Sequence, residues 1–64
     1  MKYVLCNVIK NDYDLIQYFD SREEARKLGD KLSEEAHRGM FVVVSCDSDG
    51  TFNEHKYTIY ETWM

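Results

Sequence analysis

Phe19-Asp20-Ser21-Arg22-Glu23-Glu24-Ala25 decides how this chain folds, because it ends one apolar run and opens an amphipathic one. Ser21 and Glu24 have the spacing of a capping box, in which the hydroxyl accepts from the N–H three residues on and the carboxylate reaches back. From Arg22 to Arg38 the apolar positions Ala25, Leu28, Leu32 and Ala36 recur every three or four residues, which predicts a helix with one narrow buried stripe. Glu23 and Glu24 in its first turn and His37 and Arg38 in its last complement the helix dipole, and Gly39 stands where a left-handed residue ends a helix. Gly29 lies beside Leu28 and Leu32, where its missing side chain is read as room for close approach of helix to sheet.

On either side of this helix the pattern turns β-like. Lys2–Lys10 (KYVLCNVIK) and Tyr13–Phe19 (YDLIQYF) read as a hairpin about Asn11-Asp12. That turn opposes Ile9 to Asp14 and Val4 to Phe19. One face then carries Val4, Cys6, Val8, Leu15 and Phe19 and is expected to meet the helix. Met40–Cys46 (MFVVVSC) is the most β-prone run, and Asp49-Gly50 predicts a second hairpin in which Val44 opposes His55 and Met40 opposes Ile59. Tyr60–Met64 then overruns the start of that strand. The expected fold is α+β, β-β-α-β-β, over residues 1–64 as one domain: a four-stranded antiparallel sheet in order 2-1-3-4 with one helix on one face.

Size and composition limit what such a chain does. Its 64 residues, 44% hydrophobic and 14% aromatic, are too apolar for disorder, yet they support only a thin core. No apolar run approaches the roughly 20 residues that span a bilayer, and Asn7 and Lys10 interrupt the segment that a secretion signal would need. A cytoplasmic protein with reduced thiols at Cys6 and Cys46 is expected. A net charge of −4 disfavours a nucleic-acid surface, and Lys2, Lys10 and Lys56 are offset by nearby acids.

The motifs that could carry chemistry fail on spacing. Cys6, His37, Cys46 and His55 are zinc-type ligands, but no two lie within eight positions of each other. Aligning Gly50 with the glycine of a calcium loop puts Lys56 where a bidentate Glu is required, so Asp47–Thr51 reads as a turn. No nucleophile with a base and no pair of convergent carboxylates can be named. Neither catalytic residues, metal, cofactor nor small-molecule substrate is therefore expected.

The remaining signal is apolar surface. On the expected register Tyr3, Leu5, Ile9, Ile16, Tyr18, Phe41, Val43 and Phe52 lie on the face without the helix, and one helix cannot cover two faces. These eight residues are the expected interface of a non-enzymatic protein-binding module, a homodimer joined through that face or through an edge strand. Leu5→Lys and Tyr18→Lys are expected to weaken association and spare the fold. The helix entry Phe19-x-Ser21-x-Glu23-Glu24-Ala25 between two hairpins also resembles that of many small bacterial and phage proteins. That resemblance implies an alternative, a small acidic inhibitor that occupies a basic groove of a host factor.

Overall fold

In a computed structural model, described for residues 2–35 and 39–63, the elements run β1 (Tyr3–Ile9), β2 (Asp12–Phe19), α1 (Arg22–Glu35), β3 (Met40–Ser45) and β4 (Ile59–Trp63). The sheet is antiparallel in order β2-β1-β3-β4, as the pattern of apolar runs predicts. Ser21 caps α1, its Oγ accepting from the Glu24 N–H at 3.4 Å. Gly39, at φ +70°, takes the left-handed conformation expected of it. Ala36, His37 and Arg38 lie outside the described residues, so the basic end expected of the helix is not part of this description.

The first hairpin differs from expectation in two ways, and the second reverses the sheet. Its turn is Lys10-Asn11, both at positive φ (50° and 71°), so Ile9 pairs with Asp12 rather than Asp14. A two-residue turn of this twist needs two left-handed residues, and Lys10 supplies the first. Moving the turn by one residue shifts the pairing by two and leaves the faces unchanged. The second difference is a bulge: Cys6 pairs with Leu15 but Leu5 pairs with Gln17, so Ile16 is the extra residue. One extra residue exchanges the faces of everything beyond it. Phe19 therefore pairs with Tyr3 instead of Val4. Because only Asp20 and Ser21 separate Phe19 from α1, the helix must cover the face on which Phe19 lies.

The helix accordingly packs on Leu5, Phe19, Phe41 and Val43, with Ala25 buried between them and Tyr3, Leu28, Leu32 and Trp63 at the margin. The expectation that Leu5, Phe41 and Val43 lie on the helix-free face is corrected by this arrangement. They are 0%, 5% and 0% exposed beneath α1. Val4, Cys6, Val42 and Val44, expected under the helix, face the other way.

The second hairpin is also corrected. Asp49-Gly50 does turn the chain, but locally: the Gly50 N–H donates to the Asp47 carbonyl at 2.8 Å and the Asp47 N–H to Thr51 at 2.7 Å. The Asp49 carboxylate accepts from the Thr51 N–H and hydroxyl, and the Asn53 side chain accepts from the His55 N–H. These side-chain bonds hold 46–58 in successive turns instead of a strand. Tyr60–Trp63, expected to overrun the sheet, instead forms most of β4, with Val44 opposite Ile59 and Phe41 opposite Trp63.

That connection covers the second face. Phe52 and Tyr57 pack with Tyr13, Tyr18, Val8 and Met40 over Val4, Cys6, Val42 and Val44, none of which is more than 1% exposed. The rings of Tyr13, Phe52 and Tyr57 lie 5.5 to 5.9 Å apart, as offset and edge-on aromatic pairs do. The sheet is thus the middle of three layers, helix on one side and aromatic loop on the other.

Candidate functional site

With both faces covered by the chain itself, the eight residues of the expected interface separate into three groups. Leu5, Phe41 and Val43 belong to the helix-side core, with Tyr3 beside them. Tyr18 and Phe52 belong to the loop-side layer. Only Ile9 and Ile16 remain exposed, at 37% and 39%, and they are joined by Leu15 and Ile59, each at 50%. The sequence reading missed Leu15 because it was assigned to a core-facing row. No signal in the sequence marks it, because adjacency with Ile16 requires only that one of the two point outward on a regular strand, and the expected register makes that one Ile16.

Leu15 and Ile16 sit at the middle of β2, an edge strand of eight residues. An edge strand presents unpaired main-chain donors and acceptors, which proteins protect with charged side chains, proline, bulges or a covering segment, and of these β2 has the acids Asp12 and Asp14 and one bulge. Between Asp12 and Phe19 there is neither lysine nor proline. The opposite edge is better protected. There β4 is five residues long, and Arg22 from the helix donates to the Tyr60 carbonyl at 3.1 Å and the Glu61 carboxylate at 3.0 Å while its guanidinium lies 5.1 Å from the Tyr60 ring centre.

The direction of the free groups on β2 follows from its pairing. The two-residue turn closes on Ile9 and Asp12, whose main-chain groups face one another, so those of Tyr13 and Leu15 turn away from β1. Beyond the bulge the Phe19 carbonyl accepts from the Lys2 N–H at 3.1 Å, so the groups of Tyr18 point outward. On the loop side the strand borders an open hollow of about 490 Å³ lined by Tyr13, Leu15, Phe52, Thr51 and Asn53, with Asp47 and Glu54 at its rim.

The candidate ligands of the sequence are dispersed. Cys6 is fully buried beneath the aromatic layer and Cys46 is half-buried, both as free thiols. Burial, with the Cys46 thiol nearby, pushes Cys6 up to about 11, so it stays protonated and unreactive at neutral pH. His55 is exposed beside Glu54 at 3.7 Å, and no group of three His, Cys, Asp or Glu among the described residues could hold a metal ion. The hydroxyls of Tyr13 and Tyr57 are hydrogen-bonded to each other, which, with some burial, raises Tyr57 to about 12. This bond ties the 46–58 segment to β2 and gives the pair a structural role. No helix among the described residues is long and apolar enough to cross a membrane. Comparison of the chain with family models, with curated proteins and with solved structures gives no match.

Proposed function

We propose that this protein is a small non-enzymatic interaction module that takes up a partner strand along the outer edge of β2. The observation that carries this reading is the exposure of Leu15 and Ile16 at the centre of an uncovered eight-residue edge, on a molecule whose sheet faces are both covered. Strand addition uses main-chain hydrogen bonds for affinity and the flanking side chains for selection. Leu15 and Ile16 would supply the apolar contact, and the outward groups of Tyr13, Leu15 and Tyr18 the hydrogen bonds. The acidic-inhibitor reading has less support, because Arg22, Arg26, Lys27 and Lys31 interleave with Glu23, Glu24, Asp30, Glu34 and Glu35 along the helix.

The double variant Leu15→Lys/Ile16→Lys tests the proposal. Both side chains are exposed, so the thermal midpoint is expected to move by only a few degrees, whereas any complex isolated with the wild type from native extract, or formed with its own copies, is expected to be lost. Retention of the same stoichiometric complexes by a folded double variant contradicts it.

A further inference from the structure

We infer that the strand taken up by β2 is the β2 of a second copy, antiparallel and centred on Leu15, an inference that rests on the edge-pairing function proposed above. In an antiparallel pair, residues opposite each other lie on the same face of the sheet. Asp12, Asp14, Gln17 and Phe19 oppose Ile9, Asn7, Leu5 and Tyr3 and so lie on the helix side; Tyr13, Leu15 and Tyr18 oppose Val8, Cys6 and Val4 on the loop side.

Across the bulge, one register matches both halves of the strand at once. Leu15 of each copy meets Leu15 of the other, with the extra residue Ile16 outside the ladder, Asp14 faces Gln17, Tyr13 faces Tyr18 and Asp12 faces Phe19. Each of the last three pairs joins residues of the same face. The main-chain phase also agrees: Tyr13 and Tyr18, whose groups point outward, become a hydrogen-bonded pair, and Asp14 with Gln17 a non-bonded pair whose side chains approach closely. A regular strand without the bulge would have opposite faces meeting in this register. The extra residue at Ile16, which turns the helix onto the Leu5 face, is thus also what makes the edge complementary to itself.

Charge excludes the registers slid toward the turns. β2 carries Asp12 and Asp14 and no cation, so sliding the copies toward their turns sets Asp14 against Asp14 or against Asp12, which is unfavourable. In the inferred register each acid meets an uncharged residue, and the two half-exposed Leu15 side chains meet at the two-fold axis with exposed Ile16 next to them in sequence. The axis is perpendicular to the sheet, giving a continuous eight-stranded sheet with both helices on one side.

Gln17 reads the register directly, since it is exposed and meets Asp14 of the other copy twice per dimer. Sedimentation equilibrium from low micromolar to millimolar protein is expected to show a monomer–dimer equilibrium in the wild type. Gln17→Lys is expected to tighten it, and Gln17→Glu to weaken it, each by about 2- to 30-fold in the dissociation constant, the two cross-pairs adding. Added salt should diminish both effects. Circular dichroism on dilute samples checks that each variant is folded. A dimer that both variants weaken equally, or that neither changes, overturns the register. A wild type that remains monomeric at millimolar concentration overturns self-pairing, and leaves the edge-binding function to be judged by its own test with Leu15→Lys/Ile16→Lys.

Discussion

Leu5→Lys is expected to unfold the protein. Leu5 is the largest of the fully buried side chains and lies between α1 and the sheet among Phe19, Ala25, Phe41 and Val43. Replacing it loses the transfer free energy of a leucine and buries an ammonium that has no acceptor there, a cost of at least about 4 kcal/mol. A single core in a chain of 64 residues rarely supplies more than about 3 to 5 kcal/mol of stability, so little or no folded population should remain. The far-ultraviolet circular dichroism of the variant at 25 °C checks this. A folded and merely less associated Leu5→Lys would mean that the helix lies on the other face, as the unbulged register implies. Leu15→Lys, ten residues on and half exposed, is the control that should fold normally.

Gly29→Ala is expected to destabilise the protein although alanine is the better helix former. In an open helix position the exchange would gain about 1 kcal/mol. Here a β-carbon would run into the Trp63 ring, nearest to Cη2 and within 2.7 Å of two further ring carbons. The ring has little freedom to retreat, because its Nε1–H donates to the Asp30 carboxylate at 2.8 Å from the adjacent residue of the same helix. Overpacking of this kind costs about 1 to 3 kcal/mol net, read as a lower midpoint in thermal or urea unfolding. The interaction is with one side chain, so the effect should be non-additive. In a Trp63→Ala background, itself destabilised, Gly29→Ala should become neutral or stabilising. Equal destabilisation in both backgrounds would place the clash elsewhere.

Much of the architecture was legible because it rests on local signals. The Ser21 cap, the 3.6-residue stripe of Ala25, Leu28 and Leu32, the left-handed Gly39 and the close approach at Gly29 each involve residues near in sequence, and the structure has all of them. The strand order followed from which runs are apolar on both sides. What was not legible was a single insertion. Nothing in Leu15-Ile16-Gln17 distinguishes a bulged strand from a regular one, and the preference for a bulge comes from Phe19 being buried with Leu5 under the helix, a tertiary effect. That one residue exchanged the faces and moved Leu5, Phe41 and Val43 from the expected interface into the core. The second hairpin misled for a related reason. Asp49-Gly50 has the composition of a strand-linking turn, but the side-chain bonds of Asp49 and Asn53 bend the chain again before a strand can form, and the aromatic residues Phe52 and Tyr57 gain more by covering Val4 and Val44 than by extending the sheet.

These corrections also move the site. An oily open face would have been a generic adhesive surface, whereas the structure leaves a defined edge whose outward main-chain groups belong to Tyr13, Leu15 and Tyr18 and whose apolar contacts are two neighbouring aliphatics. The candidate site was therefore only partly readable from the sequence: Ile16 was among the expected residues and an edge strand among the expected routes, while the expected open face is covered by the chain itself.

Amide hydrogen exchange followed by NMR tests the claim that association runs along this edge. In dilute monomeric protein the amides of Tyr13, Leu15 and Tyr18 should exchange quickly while those of Asp14, Val4 and Val43 are protected; on association, the first three should become protected and the rest change little. Protection of Tyr13, Leu15 and Tyr18 already in the monomer, or association that leaves them exchanging as before, would contradict the account.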